Sequence, residues 1–270
     1  MDYQTYEPSA PINSFVKCYW TLDAPKSLSA EKQRIVPDGC MEMIFHHGDL
    51  YWQYLKDGSY IVQPQCFVFG QITKMLEIEA SGVTGIFSVR FHPGGFIPFA
   101  SLTTKQMENR AVPLNELFDN GVQELEAKML NALTTEDRIK IIEAFLIDKL
   151  IAPESIDRII KSSVKTILKL KGKLSVTELS KAVNTNRRQL ERRFSSVIGL
   201  SPKQLAKIIR LQTAIHAMLS QDFDNLTTLA YEGDYFDQAH FIKDFKEFTG
   251  VSPKKFYSDH LKMTSLLLRT

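Results

Sequence analysis

The amino-acid sequence predicts a multidomain α+β protein with a mostly antiparallel β-rich front, a helical connector and an all-α back. Three observations predict it. Short aromatic and β-branched runs broken by glycine, proline and aspartate turns fill the chain up to about Phe99. Helical periodicity takes over after Pro98. Across residues 172–257 one two-helix pattern is written twice at a constant spacing.

In the front, residues 15–22, 41–46, 66–69 and 85–91 carry the aromatic and β-branched side chains that suit a pleated, half-buried surface. Pro37-Asp38-Gly39, Gly48-Asp49, Lys56-Asp57-Gly58 and Pro93-Gly94-Gly95 punctuate them as turns. Several short strands so spaced predict a barrel or a sandwich. Downstream, Leu114, Leu117, Phe118, Leu125, Met129 and Leu133 recur at helical intervals, as do Ile141, Ile142, Phe145 and Leu150. Pro153 separates this connector from a helix whose apolar face includes Ile156, Ile160, Val164, Ile167 and Leu168. The expected boundaries are 1–112, 113–152 and 153–270. The connector either supplies dimer contacts, which makes a homodimer an expected partner, or caps the front domain.

Hydrophobic residues at 44% and charged residues at 24% are a globular balance, against disorder. The net charge of +2 conceals an asymmetry: residues 1–150 carry −6 and residues 151–270 carry +8. That polarity is expected where only the back half meets a polyanion. No run approaches 18 apolar residues, so no membrane partner is expected. The first ten residues, with Asp2 and Glu7, do not read as a secretory signal. Cys18, Cys40 and Cys66 are scattered and odd in number, which predicts buried free thiols and a cytoplasmic location.

The repeat is the most specific signal. Leu190, Phe194, Gly199, Ser201 and Pro202 return 51 residues later as Phe241, Phe245, Gly250, Ser252 and Pro253. In the first copy Ser175 and Glu178 form a capping box for a short helix, and Asn184-Thr185-Asn186 makes a tight turn. The next helix, residues 187–197, buries Leu190, Phe194 and Val197 and leaves Arg188, Glu191 and Arg192 off that face. In the second copy the chain near 225–228 caps one helix and Asp237 caps residues 238–248, with Phe241, Phe245 and Phe248 inward. Gln238, Ala239, Ile242 and Lys243 face outward. A long helix over 203–219 joins the copies and would hold the two units at a fixed separation. A short helix, a tight turn and a second helix with exposed arginines is the helix-turn-helix pattern of major-groove binders.

Leu190-Glu191-Arg192-Arg193-Phe194, Gly199-Leu200-Ser201-Pro202 and Tyr235-Phe236-Asp237-Gln238-Ala239-His240-Phe241 make residues 163–260 resemble the AraC/XylS family of bacterial transcription regulators. The resemblance implies a C-terminal all-α double helix-turn-helix domain that binds double-stranded DNA, and contact with RNA polymerase. The matching positions in the first recognition helix are Arg188 and Arg192, with Arg187 and Glu191 beside them. In the second they are Gln238, Ala239 and Lys243, with His240 close by. Arginine's fork matches guanine O6 and N7. Arg188 and Arg192 are therefore expected base contacts, with surface or phosphate roles as the alternative. Arg193, beside the buried face, is expected to be a phosphate or structural contact, and Thr227 and Thr228 to hold phosphate at a helix start. One departure is that Gly233 is displaced, so that Asp234 precedes Tyr235. Aspartate tolerates the left-handed conformation there.

Residues 34–45, 69–71 and 89–95 resemble an uncharacterised domain found ahead of AraC-type DNA-binding modules. That resemblance implies a sensory or regulatory N-terminal domain with a mostly antiparallel β barrel/cupin-like fold, open to a small-molecule effector. Arg90, in an otherwise apolar strand, reads either as an ion-pair partner of Asp38 or Glu42 or as an anion-binding group in a pocket. Glu42 and Trp20 are further candidates for lining it. His46, His47 and His92 are the available metal ligands, but adjacent strand residues point to opposite faces, and no cofactor motif is present. Cys40 lies near Glu42 without an arguable histidine partner, so enzymatic activity is not expected. The alternative to ligand control is a constitutive regulator whose front domain only dimerises.

Overall fold

The computed structural model describes residues 1–27, 32–99, 101–118, 121–150, 157–220, 228–230 and 237–259. Pro153, Ile156, Asn225, Thr227 and the 233–236 turn lie outside the described residues.

Among the described residues ten strands form the front: β1(Asp2–Tyr6), β2(Val16–Ala24), β3(Gln33–Ile35), β4(Glu42–His46), β5(Tyr51–Tyr54), β6(Tyr60–Val62), β7(Cys66–Phe69), β8(Leu76–Ala80), β9(Thr84–Phe91) and β10(Ala111–Pro113). They pair antiparallel into two sheets, ordered β1-β2-β9-β4-β7-β10 and β3-β8-β5-β6. The expected barrel or cupin-like closure is not found. Both sheets are open: β1 and β10 end one, β3 and β6 end the other, and none of these pairs across to close a ring. The reason lies in the connections. The chain turns from β4 into the second sheet at Gly48, where a Cβ would meet Val83 O and Gly85 N at 2.5 Å. It then returns to the larger sheet in β7 and β9, so each sheet completes its pairing internally.

The larger sheet is buried on both faces, which is why its strands lack clean alternation. Register sets the two faces. Trp20 lies opposite Ser88, Leu22 opposite Ile86, Glu42 opposite Arg90, and His46 opposite Ile86. These residues look toward the second sheet. Tyr19, Met43, Phe45, Val68, Phe87, Val89 and Phe91 look the other way, into the main core.

That core is completed by helices α1(Thr104–Met107), α2(Leu114–Leu117), α3(Val122–Asn131) and α4(Thr135–Lys149). Leu114, Leu117, Val122, Leu125, Met129, Ile142 and Leu146 pack onto the sheet. Each fully buried large side chain contributes about 1.5–3 kcal/mol. Leu133 departs from its periodicity. It sits 95% exposed in the turn where Thr134 accepts from the Asp137 N–H to cap α4.

The back consists of α5(Arg158–Lys169), α6(Val176–Ala182), α7(Arg187–Val197), α8(Pro202–Ser220), a helical segment at 228–230, α9(Gln238–Thr249) and α10(Pro253–Asp259). Its core gathers Leu179, Leu190, Phe194, Ile208, Ile215, Phe241, Phe245, Phe248 and Phe256. Val36, from the front, is buried in this second core. Hydrogen bonds also cross between front and back. Thr104 Oγ1 donates to Ser195 O at 2.9 Å, and Gln212 Nε2 donates to Pro37 O at 2.6 Å.

Candidate nucleic-acid interface and inter-sheet cavity

The first helix-turn-helix unit is fixed by its caps. Ser175 N–H donates to Glu178 Oε2 at 2.7 Å, and Glu178 N–H donates to Ser175 Oγ at 3.1 Å. Asn184, at φ +50°, turns the chain between α6 and α7. Asn186 Oδ1 then accepts from the Gln189 N–H at 2.9 Å. Such caps each contribute about 1 kcal/mol. At the far end Gly199 adopts φ +82° and its N–H reaches back to Phe194 O, the arrangement that lets a helix stop without strain.

With Leu190 and Phe194 fully buried, the rest of α7 must face outward. Arg188 and Arg192, one turn apart, are exposed. Arg187 pairs with Glu191 at 2.9 Å on the surface, a contact of only about 0.3–0.5 kcal/mol that a ligand could replace. Arg193 turns away from this face and pairs with Asp157. Asp157 also caps α5 through the Ile159 and Ile160 N–H groups.

In the second unit Asp237 Oδ1 accepts from the His240 N–H at 2.7 Å and starts α9. Gln238, Ala239, His240 and Lys243 are exposed, while Phe241, Phe245 and Phe248 fill the core. Asp244 seats the helix. It is buried on α9 and receives Lys207 Nζ at 2.9 Å from α8, with Arg210 at 3.8 Å and His240 at 3.7 Å. Burial pulls the Lys207 ammonium pKa down, but the hydrogen bonds to Asp244 and Glu247 outweigh it, and the net shift is upward.

Sequence reasoning missed this cluster. Its signal is Asp244 on the apolar side of α9 facing two cations spaced i, i+3 on α8. The cluster floors a cleft of about 740 Å³ that brings Arg187 from α7 together with His240 and Lys243 from α9. Arg188 and Arg192 are not among the residues lining it. Thr228 lies half-buried in the 228–230 segment, away from the lining of this cleft.

Between the two front sheets lies a cavity lined by Trp20, Glu42 and Arg90, together with apolar side chains from the second sheet such as Ile78. The cavity volume is about 80 Å³. Arg90 donates through Nη1 to Glu42 Oε1 at 3.0 Å and through Nη2 to Asp38 Oδ2. The sequence allowed either partner, and the structure gives both. Burial pushes the Glu42 carboxyl up to about 7, against hydrogen bonding from the Trp20 indole. His46 lines the same cavity, stacks on Tyr51 at 5.4 Å, and is driven by burial down to about 4, so its ring is neutral. His47 faces the other way, 3.8 Å from Asp23. Among the described residues no group of three histidine, cysteine or acidic side chains is placed to hold a metal ion. Cys18, Cys40 and Cys66 are buried free thiols, and burial raises Cys40 and Cys66 to about 12.

A family model described as a helix-turn-helix domain matches residues 179–258, the span of the two capped recognition helices. Residues 179–258 therefore carry a helix-turn-helix domain, over the stretch that resembles the AraC/XylS family. A second model, described as a domain of unknown function (DUF6597), matches residues 4–113. Two curated relatives are similar over a shorter stretch. The HTH-type transcriptional regulator MtrA of Neisseria gonorrhoeae is 34% identical over 92 residues, which is 34% of this chain and 30% of the relative. An uncharacterized HTH-type transcriptional regulator of Haemophilus influenzae is 31% identical over 81 residues, 30% of this chain and 27% of the relative. The chain thus spans less than a third of the length of these curated relatives. A structure of ToxT from Vibrio cholerae aligns over 91% of this chain and 98% of its own, at 12% identity and a TM-score of 0.48. Among the described residues no helix is long and apolar enough to cross a membrane.

Proposed function

We propose that the protein is a sequence-specific double-stranded DNA-binding transcription regulator, and that a small molecule held in the inter-sheet cavity modulates it. The observation that carries the first half is the pair Arg188 and Arg192, exposed one turn apart on a rigidly capped recognition helix. They read base edges in one major groove, with Arg187 and Glu191 beside them. Gln238, Ala239, His240 and Lys243 meet the next groove, where Ala239 offers only a methyl contact and Lys243 a base or phosphate contact. Thr228 holds phosphate, and Thr227, outside the described residues, is assigned the same role. The +8 charge of residues 151–270 supports polyanion binding by the back half alone.

In this reading residues 1–112 sense, 113–152 connect and 153–270 bind DNA. The ligand meets Arg90, Glu42 and Trp20. The protein works in the cytoplasm as a homodimer that contacts RNA polymerase. Selection of bound duplexes from a randomised library tests the DNA-binding half. The full chain should enrich a defined motif, with affinity falling steeply as salt rises. Enrichment of no motif, or affinity indifferent to salt, overturns it.

A further inference from the structure

We propose that the inter-sheet cavity takes a small apolar monocarboxylate whose carboxylate replaces Asp38 on Arg90. That exchange loosens the grip of the Pro37–Gly39 loop on α8. The inference rests on the ligand-responsive reading above and adds the ligand class and the route of coupling.

The argument starts from which of the three charged groups is free to leave. Arg90 and Glu42 sit opposite each other on β9 and β4, each strand hydrogen-bonded on both sides. Neither backbone can move away without breaking ladder hydrogen bonds. Asp38 belongs to no strand. It lies in a loop with Gly39 at φ +85°, its side chain is 18% exposed, and water is within reach.

The guanidinium also has unused capacity. Nη1 serves Glu42 and Nη2 serves Asp38, while the Nε–H is buried and lacks a hydrogen-bond partner. Nε and Nη2 form one edge of the planar fork. A carboxylate entering along that edge makes two parallel hydrogen bonds where Asp38 makes one, the stronger geometry for this pair. The exchange trades one carboxylate for another, so the cavity gains no net charge. A neutral molecule has no such claim on Arg90, and a cation finds both carboxylates already committed. The walls on the approach, among them Trp20, Ile44 and Ile78, are apolar, which sets the body of the ligand.

The loop that Asp38 would release is one of the segments that touch the DNA-binding unit. Pro37 O accepts from Gln212 Nε2 of α8. The Gly39 backbone packs so closely on α8 that a Cβ there would lie 2.7 Å from Leu205 Cδ1. Val36 is buried among the helical core residues. Three contacts with the back half thus come from the segment between β3 and β4, which Asp38 ties to the larger sheet through Arg90. α8 joins the two recognition units, so a change in its seating alters their relative placement.

Two readouts test this on the full chain without DNA. Trp20 fluorescence in a Trp52→Phe background reports binding of hexanoate and 3-phenylpropanoate, with hexanamide and 3-phenylpropanamide as neutral counterparts. Amide hydrogen exchange over residues 205–212 reports the seating of α8. The carboxylates should bind about tenfold or more tighter than the amides and speed exchange in α8. Asp38→Asn removes the competitor while keeping the loop's side-chain shape. It should tighten carboxylate binding about fivefold and speed α8 exchange without ligand. Gln212→Ala should speed α8 exchange and, because the coupling is reciprocal, tighten probe binding by about twofold. Equal binding of amides and acids, no binding by either acid, weaker acid binding by Asp38→Asn, or binding that leaves α8 exchange unaltered overturns the proposal. Failure of the protein to bind DNA leaves these readouts intact and overturns only the function proposed above.

Discussion

Asp244→Ala is the substitution that most directly tests how the second recognition helix is held. Asp244 is 4% exposed by side chain and is the common partner of Lys207, Arg210 and His240. Truncation leaves the Lys207 and Arg210 side chains, 16% and 15% exposed, facing each other without the carboxylate between them. Removing one partner from a fully buried pair costs about 3–5 kcal/mol. Lys207 keeps Glu247 at 3.1 Å, and both cations can shift toward water. The expected loss is therefore about 2–4 kcal/mol, mostly local to α9. Hydrogen exchange over 238–249 measures it as faster opening of that helix, with α7 protected as before. A Lys207→Met partner variant closes a double-mutant cycle, in which the pair should couple by about 1–3 kcal/mol. Exchange in α9 unchanged within about 0.5 kcal/mol, or loss spread equally over α7, would refute the assignment of Asp244 as the seat of the second helix.

Burial lowers the His46 pKa from 6.5 to about 4, so its neutral ring stabilises the fold above pH 6.5 and that contribution is lost as pH falls toward 4. Glu42, raised to about 7, has the opposite sign: its contribution is present below 4.5 and is lost as pH rises to 7. His46→Phe should remove the first effect, so the variant loses about 2–3 kcal/mol less stability than the parent between pH 7 and pH 4.5 in urea titrations; equal losses contradict the burial of His46. Arg193→Ala removes the pair with Asp157 and should lower stability by about 1–2 kcal/mol while leaving the DNA motif unchanged; an altered base preference would move Arg193 into the reading face.

Much of the back was legible in the sequence because its signals are local. The capping box at Ser175, the turn at Asn184 and the spacing of Leu190 and Phe194 each act within one or two helical turns, and all are found. The front was legible only in its buried strands. Residues 15–22 and 85–91 announce β2 and β9 by aromatic and β-branched content. β8, with the sequence Leu-Glu-Ile-Glu-Ala, has the composition of a helix and becomes a strand through pairing with β3 and β5. The open sheets could not be read at all, because which edges meet is a property of distant segments rather than of any run.

The cavity residues Trp20, Glu42 and Arg90 stood out as aromatic or charged groups in apolar strands, and register places them on one face. Val36 and Asp244 did not stand out. A valine before a turn gives no hint of burial among distant helices, and an aspartate on a helix normally faces water. The exposure of Arg188 and Arg192 follows directly from the burial of their neighbours.

The most direct test of the central claim is a base-by-base preference profile, from duplex selection, of the parent chain and of Arg192→Ala. Base reading by α7 predicts that the variant loses discrimination at one position of the motif by about 1–3 kcal/mol, keeps its preferences elsewhere, and binds random duplex nearly as well as the parent. A uniform loss of affinity across all sequences, with the motif unchanged, would make Arg192 a phosphate contact and contradict the account.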